Sequence, residues 1–473
     1  MGERILIDPV TRIEGHAKIT ISLDDDGKVA DALFHVTQFR GFEKFVEGRP
    51  MTEMPSLMAR ICGICPVSHL IASAKACDAI YAVAIPETAV KLRRLMDYAQ
   101  FVQSHALSLF HLSGPDLLLG MDADEKTRNV IGLIGMNPDV AKDGIRLRQF
   151  GQTIIEMLGG KRVHPSWLVP GGVNAPLSAD HLAKIAAGLP AARAAARRAL
   201  ALFKGVFDRF TPEIESFANF PTMYVGLVND EGNLDFYDGK LRFCDERGEL
   251  MHEVTDPARY VDYIGEAVED FTFLKFPYYL PRGYPDGIYR VGPLARLVVS
   301  DRCGTPEADS ELEEMRARFG RAPQSSFLFH WARLIELIHA LEVIDRLIAE
   351  PDILDPFVRS RARYNRSEGV AFSEAPRGTL IHHYKIDENG QMRWVNLIIA
   401  TGHNNLAMNR GVKQVAQRFV DGNALREGML NRVEAVIRCF DPCLSCSTHA
   451  AGQMPLVVEL RDAAGNLLQE VRR

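Results

Sequence analysis

At 473 residues, with 47% hydrophobic and 25% charged side chains, the chain has the make-up of a soluble globular protein and not of a disordered or fibrous one. Its formal charge of −6, from 55 basic and 61 acidic residues, argues against nucleic acid or an anionic membrane as its partner. No apolar run approaches the roughly 18 residues of a spanning helix, and the start reaches Asp8 before a signal-peptide core develops, so a cytoplasmic protein without membrane insertion is expected.

In chain order, Arg4 to Asp8, His16 to Leu23 and Val29 to Val36 alternate like strands, placing an N-terminal β region over about 1–40. Between the first two lies Asp8-Pro9-Val10-Thr11-Arg12-Ile13-Glu14-Gly15-His16, whose proline and glycine bracket a charged connection; a solvated loop is one reading of Glu14. A helical, alanine-containing stretch then runs to about Val83. Positions 90–119 read as one long helix, with Leu92, Leu95, Met96, Ala99, Val102, Leu109 and Leu112 at three- and four-residue steps. His105 and His111 near this stripe read as core histidines.

A second amphipathic helix spans Asp139 to Leu158 and stops at Gly159-Gly160. Ser178 caps an alanine- and arginine-rich region that Pro190 should break into a peripheral helical hairpin. Residues 221–300 are mixed, with Leu241-Arg242-Phe243 as a short strand and little evident chemistry. A third long helix runs from Ser325 to Ala349 and ends at Pro351. Gly378 to Tyr384 and Gln391 to Ala400 form a hairpin through Asp387-Glu388-Asn389-Gly390, and helices at about 405–419 and 424–439 follow. The class is α+β, mainly helical, a long central helix bundle with N-terminal and peripheral β-sheets.

Two cysteine pairs stand near opposite ends, in Arg60-Ile61-Cys62-Gly63-Ile64-Cys65-Pro66-Val67-Ser68-His69 and in Asp441-Pro442-Cys443-Leu444-Ser445-Cys446-Ser447-Thr448-His449. Four thiolates with nearby imidazoles suit a soft or borderline transition metal. Zinc ribbons usually bring their pairs within about 15–20 residues, which these are not, so a local knuckle does not fit. A shared metal, two separate redox dithiols and plain core thiols stay open on spacing alone. Cys77, Cys244, Cys303 and Cys439 read as core or surface thiols in a reduced compartment.

With those motifs in view, nearly the whole chain resembles the large, catalytic subunit of nickel-iron hydrogenases, in particular the cytoplasmic NAD-reducing type. The resemblance rests on the two cysteine motifs and is supported by Asp8 to His16, Arg40 to Glu43, Pro170 to Val173, Gly292 to Arg296 and Glu374-Ala375-Pro376-Arg377-Gly378. It implies the large-subunit fold, as a single catalytic domain over 1–449. It also implies a nickel held by Cys62, Cys65, Cys443 and Cys446, with Cys65 and Cys446 bridging to an iron that carries carbon monoxide and cyanide. Splitting H2 needs a Lewis acid for one fragment and a base for the other, and Cys443 is the implied first base.

By the same resemblance, Glu14 matches a proton-relay glutamate. Arg377 matches an arginine held over the iron's ligands, where a guanidinium can donate to cyanide. Pro376 and Thr401 match positions lining those ligands, and His69 matches a histidine bonding a bridging sulfur. Glu43 and His449, with the carbonyl of Leu397, match ligands of a magnesium-type ion near the C-terminus. Other groups of the family carry Asp where this chain has Ser104, which leaves the charge balance around Arg377 open.

Residues 450–473 match a maturation peptide that a nickel-checking protease removes; a C-terminal hairpin, Leu456 to Leu460 turning at Gly465-Asn466, is the other reading. Once four cysteines are spent, no set remains for an iron-sulfur cluster in this chain, and no Gly-x-Gly-x-x-Gly fingerprint is present. The implied partners are an iron-sulfur small subunit, flavin- and iron-sulfur-containing diaphorase subunits that reduce NAD+, the maturation protease and nickel-insertion proteins. The alternatives are a soluble hydrogenase with a deazaflavin or disulfide acceptor, a structural zinc protein, and a non-catalytic relative of the kind found in respiratory complex I. The complex I relative has lost the four cysteines that stand here.

Overall fold

The computed structural model describes residues 4–449 and the backbone of 457–461 and 467–472. Strands β1 (Arg4–Ile7), β2 (Ala17–Leu23) and β3 (Val29–Val36) form an antiparallel sheet in that order. Along β2, alternate residues are buried, as a sheet with one face on the core requires.

The bundle is built on α1 (Pro66–Tyr81), α2 (Glu87–Ala106), α3 (Pro138–Gly159) and α4 (Ala179–Phe207). From Leu92 onward α2 is almost wholly buried and packs against α1 and α3. The single helix expected over 90–119 does not persist. After Ala106 the chain widens into π-type turns at Leu107–Leu112 and Pro115–Leu119. Pro115 has no amide to donate back, and a Cβ at Gly114 would lie 2.8 Å from the Leu109 carbonyl, so the chain passes too close there for a larger residue.

Pro190 does not break α4, and the expected hairpin is absent. Its buried stripe of Ile185, Leu189, Ala192, Ala196, Ala199 and Phe203 continues through the proline, while Pro190 and Ala186 lie on the exposed face. The carbonyl that proline leaves free therefore meets water, and the hydrophobic face decides the conformation.

Four further strands, β4 (Met223–Val228), β5 (Lys240–Cys244), β6 (Leu250–Val254) and β7 (Tyr289–Arg290), form a sheet in the order β7-β4-β5-β6. After α5 (Pro293–Val299) and the buried α6 (Phe329–Ile348) comes a sheet of β8 (Glu368–Ala375), β9 (Gly378–Ile386) and β10 (Met392–Ile398). The β9–β10 hairpin is as expected, whereas β8 was not. From Gly369 to Ala375 every residue is buried, so β8 shows no alternation. The sheet lies against α1. Helices α7 (Asn405–Phe419) and α8 (Glu427–Phe440) complete the domain. Among the described residues no helix is long and apolar enough to cross a membrane.

The backbone segments Val457–Arg461 and Leu467–Arg472 pair antiparallel, and the expected turn at Gly465-Asn466 lies outside the described residues.

Candidate metal centre

Local sequence explains how each cysteine pair is presented. Cys65 immediately precedes Pro66, the first residue of α1, where a missing amide proton is harmless. The second pair follows α8, from which Asp441 turns the chain in the left-handed conformation (φ 51°). These two helix ends meet, so the start of α1 and the end of α8 share one buried locus.

There the four sulfurs of Cys62, Cys65, Cys443 and Cys446 lie within 4.8 Å of one another. Cys62 Sγ is 3.0 Å from Cys65 Sγ and 3.3 Å from Cys443 Sγ, and Cys65 Sγ is 3.8 Å from Cys446 Sγ. All four are free thiols and at most 3% exposed. The amides of Ile64 and Cys65 point at Cys62 Sγ from 3.2 and 3.1 Å. Hydrogen bonds from Cys443, Cys446 and Cys62 hold the Cys65 thiol well below its ordinary range, while burial pushes Cys443 and Cys446 up. Four convergent sulfurs without disulfides are a donor set for a thiophilic metal.

Glu14 is brought to this centre and is not the solvated loop carboxylate that its surroundings in sequence allowed. Its backbone forms a β-bridge with Cys443, its carbonyl accepts from Leu444 N at 3.2 Å, and its Oε2 accepts from Ser445 N at 3.1 Å. Gly15 makes the approach feasible. It has φ 88°, and a Cβ there would sit 2.7 Å from Leu444 Cβ.

Arg377, 2% exposed, completes the inner ring. Its Nη2 donates to Asp441 Oδ1 at 3.1 Å and its Nη1 to Ser104 Oγ at 3.3 Å. Burial opposes its charge, but Asp441 and then the sulfurs of Cys443, Cys65 and Cys62 hold it well above the ordinary range. The charge balance left open by Ser104 is thus met by Asp441. Thr401 Oγ1 accepts from Cys443 N at 2.9 Å, fixing the second pair. His69 is fully buried, and its ring nitrogens make no hydrogen bond within the chain.

A second locus gathers the other expected residues. Glu43 sits on the helical turn Phe42–Phe45 and accepts from Leu397 N at 2.9 Å; burial raises its carboxyl to about 7. His449 Nδ1 accepts from Phe42 N at 3.4 Å, while its Nε2 is buried without a partner. An acid carboxyl and an orphaned imidazole nitrogen in a buried place fit a cation.

Arg296 and its carboxylates were not foreseen, because 221–300 showed only short strands and Gly-Pro loops. Arg296 is fully buried and donates to both Glu336 oxygens at 2.6 and 2.7 Å and to Glu374 Oε2 at 2.6 Å. It also holds the carbonyls of Ala375 and Pro376, at 2.8 and 3.1 Å, and so fixes the chain entering Arg377. Only its place in the Gly292 to Arg296 motif hinted at this. His105 donates to or accepts from Glu336 at 2.8 Å and belongs to the same buried network, as a core histidine.

Together these contacts define a buried four-thiol centre, built from both ends of one chain, that fits the metal site of a metalloenzyme. Residues 40–129 and 228–449 match the nickel-dependent hydrogenase family, and residues 4–39 match a family described as HoxL-like. The chain belongs to the nickel-dependent hydrogenase family, as a large-subunit member. It is 44% identical to the beta subunit of the NAD-reducing hydrogenase HoxS of Cupriavidus necator, over 100% of both chains. It is 41% identical to one of the subunits of the F420-non-reducing hydrogenase vhc of Methanococcus voltae, over 98% of this chain and 99% of that one. A crystal structure of an NAD+-reducing nickel-iron hydrogenase in the H2-reduced state superposes with a TM-score of 0.92 at 44% identity, covering 94% of this chain and 99% of its own. The nickel-iron-selenium hydrogenase of D. vulgaris Hildenborough shares the fold, with a TM-score of 0.76 at 24% identity over 94% and 100% of the two chains.

Proposed function

We propose that this hydrogenase subunit splits H2 in the cytoplasm and passes electrons through an iron-sulfur small subunit to a diaphorase that reduces NAD+. The observation that carries this reading is the four-sulfur centre with Glu14 tied to the Cys443 segment. Cys62 and Cys443 would be terminal nickel ligands, and Cys65 and Cys446 would bridge to an iron bearing carbon monoxide and cyanide. When bound, that group supplies the Lewis acid that polarises H2.

The chain's own residues do the rest. Cys443 Sγ takes the proton. Glu14 is anchored through Oε2 by the Ser445 amide, which leaves Oε1 to receive the proton and hand it outward. Arg377, charged and held by Asp441, presents donors at the face that Pro376 and Thr401 line. Burial of all four sulfurs keeps bulk water away from the charge separation. His69, with both ring nitrogens free, is available to a bridging sulfur. Glu43, His449 Nε2 and the Leu397 carbonyl would hold a magnesium-type ion, which would displace the Glu43 proton.

Electrons must leave through partners. Cys77, Cys303 and Cys439 are each buried, with thiols pushed up by burial, and Cys244 is pushed up to about 11; among the described residues none of these four joins the sulfur group of Cys62, Cys65, Cys443 and Cys446. The 41% identity to a chain of an F420-non-reducing hydrogenase supports a second reading in which another acceptor replaces NAD+. Residues 450–473 would be removed by a maturation protease after nickel-insertion proteins have acted.

Metal analysis and infrared spectroscopy of the purified complex test the proposal. One nickel per copy of this chain, with bands from iron-bound carbon monoxide and cyanide, is expected; total iron will exceed nickel because the proposed partner subunits carry iron-sulfur clusters. Zinc alone, or no such bands, would sink it. Assay of the same complex with NAD+ separates the two acceptors.

A further inference from the structure

Glu14 reaches Cys443 from a loop, and that loop is gripped by buried charges to which no role has been given. The Thr11 amide donates to Glu434 Oε1 at 2.7 Å and the Thr11 hydroxyl to Glu434 Oε2 at 3.1 Å. Arg438 donates from Nε to the Thr11 carbonyl and from Nη2 to the Thr11 hydroxyl, each at 3.0 Å. Arg12 adopts φ 56°, a conformation that non-glycine residues seldom take. It is held there by Nη1 donating to the Leu112 carbonyl at 2.8 Å and Nη2 donating to Asp116 Oδ1 at 2.5 Å.

Asp116 joins the two arginines. Its Oδ2 accepts from Arg438 Nη1 at 2.9 Å, and the two side chains are 2% and 1% exposed. Asn431 adds a bond to Asp116 Oδ1 at 3.0 Å. Asp116 itself lies in the π-type turn after α2, an irregularity of the sort that often marks a functional place in a helix.

Register on α8 gives these contacts a direction. Glu434 and Arg438, four residues apart, lie on one face of α8, and Asp441 follows immediately past the helix end, in the left-handed conformation. Glu434 and Arg438 hold the Glu14 loop, and Asp441 holds Arg377. The last two turns of one helix and the residue just past it therefore hold the Glu14 loop and Arg377, both beside Cys443.

We infer that Arg438, with Asp116 and Glu434, is a positioning residue for proton transfer: it fixes Thr11 and Arg12 so that Glu14 meets the amides of Leu444 and Ser445 and keeps one carboxyl oxygen free beside Cys443. The inference rests on the reading of Glu14 as the relay. It predicts that loosening this grip harms proton transfer and spares metal binding, because none of the three residues touches a sulfur. A network that only stabilised the fold would lower every property alike.

The test is a double-mutant cycle in the assembled enzyme. Arg438→Lys keeps the charge and removes the planar fork; Thr11→Val, at an exposed residue, removes only the hydroxyl contacts. Each is made alone and together with Glu14→Gln, and H2/D+ exchange is read beside nickel and iron content per chain. Each single variant is expected to lower exchange about 10- to 100-fold, the order that a misplacement of about 1 Å brings, with metal content unchanged. In the Glu14→Gln background neither should lower it further. Equal losses in both backgrounds, or full exchange in Thr11→Val, would overturn the inference. Should Arg438→Lys fail to fold, the Thr11→Val arm decides alone. Full exchange in Glu14→Gln itself would instead remove the relay reading.

Discussion

Arg377 and Asp441 form a fully buried ion pair, Nη2 to Oδ1 at 3.1 Å, with both side chains 2% exposed. Ser104 meets the same guanidinium only through a neutral hydroxyl, at 3.3 Å. The two partners should therefore differ sharply in what their loss does. Asp441→Asn leaves a buried cation unpaired and is expected to lower stability by about 3–5 kcal/mol, whereas Ser104→Ala removes one weak bond and costs about 1 kcal/mol. Thermal unfolding midpoints of the two variants check this. Similar midpoints would mean that Asp441 is not what balances Arg377.

Arg296 ties Glu336 and Glu374 to the carbonyls of Ala375 and Pro376, using its fork on both sides. Lysine carries the charge without the fork. Arg296→Lys is thus expected to lower the unfolding midpoint by an amount equivalent to several kcal/mol, about 3–5 when a buried charge loses its partners, and to lower hydrogen-splitting activity as Pro376-Arg377 loosens. Unfolding scans and activity of one preparation check both. An unchanged midpoint would show that the network relaxes around a point charge.

What could be read before the structure follows a physical pattern. β2 and β3 were legible because one face is wet and the other buried, so the sequence alternates. β8 was hidden because both its faces are covered. The widened turns after Ala106 kept three- and four-residue spacing and so passed for more helix. Pro190 misled because propensity is weaker than a continuous buried stripe. At the site, the cysteine motifs carry their chemistry in local spacing. Asp441, Arg296 and Glu336 act through partners far away in sequence, and no local pattern announces such a pair.

Burial also sets a pH dependence. His330 is lowered to about 3 and His339 to about 4, in each case first by burial. A histidine whose folded value is depressed leaves stability untouched above its unfolded value, near 6.5. As the pH falls through 6.5 the unfolded chain takes up the proton first, so stability is lost progressively down to about 4 for His339. In His339→Gln the midpoint should fall less steeply between these values, by the slope of one proton, about 1.4 kcal/mol per pH unit. Melting at a series of pH values reads this. Parallel curves for the parent and the variant would mean that His339 is not buried neutral.

The closed centre poses a problem of entry, and the proposed removal of residues 450–473 would bear on it. Cys443 and Cys446 are each 1% exposed, the Thr448 carbonyl accepts from the amides of Arg40 and Gly41, and Leu444 N donates to Glu14 O. A chain closed in this way leaves the four sulfurs almost no exposed surface. On the proposed function, the segment 441–449 would stand open when nickel enters, held so by residues 450–473 until they are cut away. Charge is not their means, since Glu459, Asp462 and Glu470 are balanced by Arg461, Arg472 and Arg473. A chain ending at His449 from the outset should fold closed and metal-free, and nickel added afterwards should not bind. The nickel content of that truncated chain, beside the full chain matured in the same cells, checks the point. One nickel per truncated chain would show that residues 450–473 do not hold the centre open.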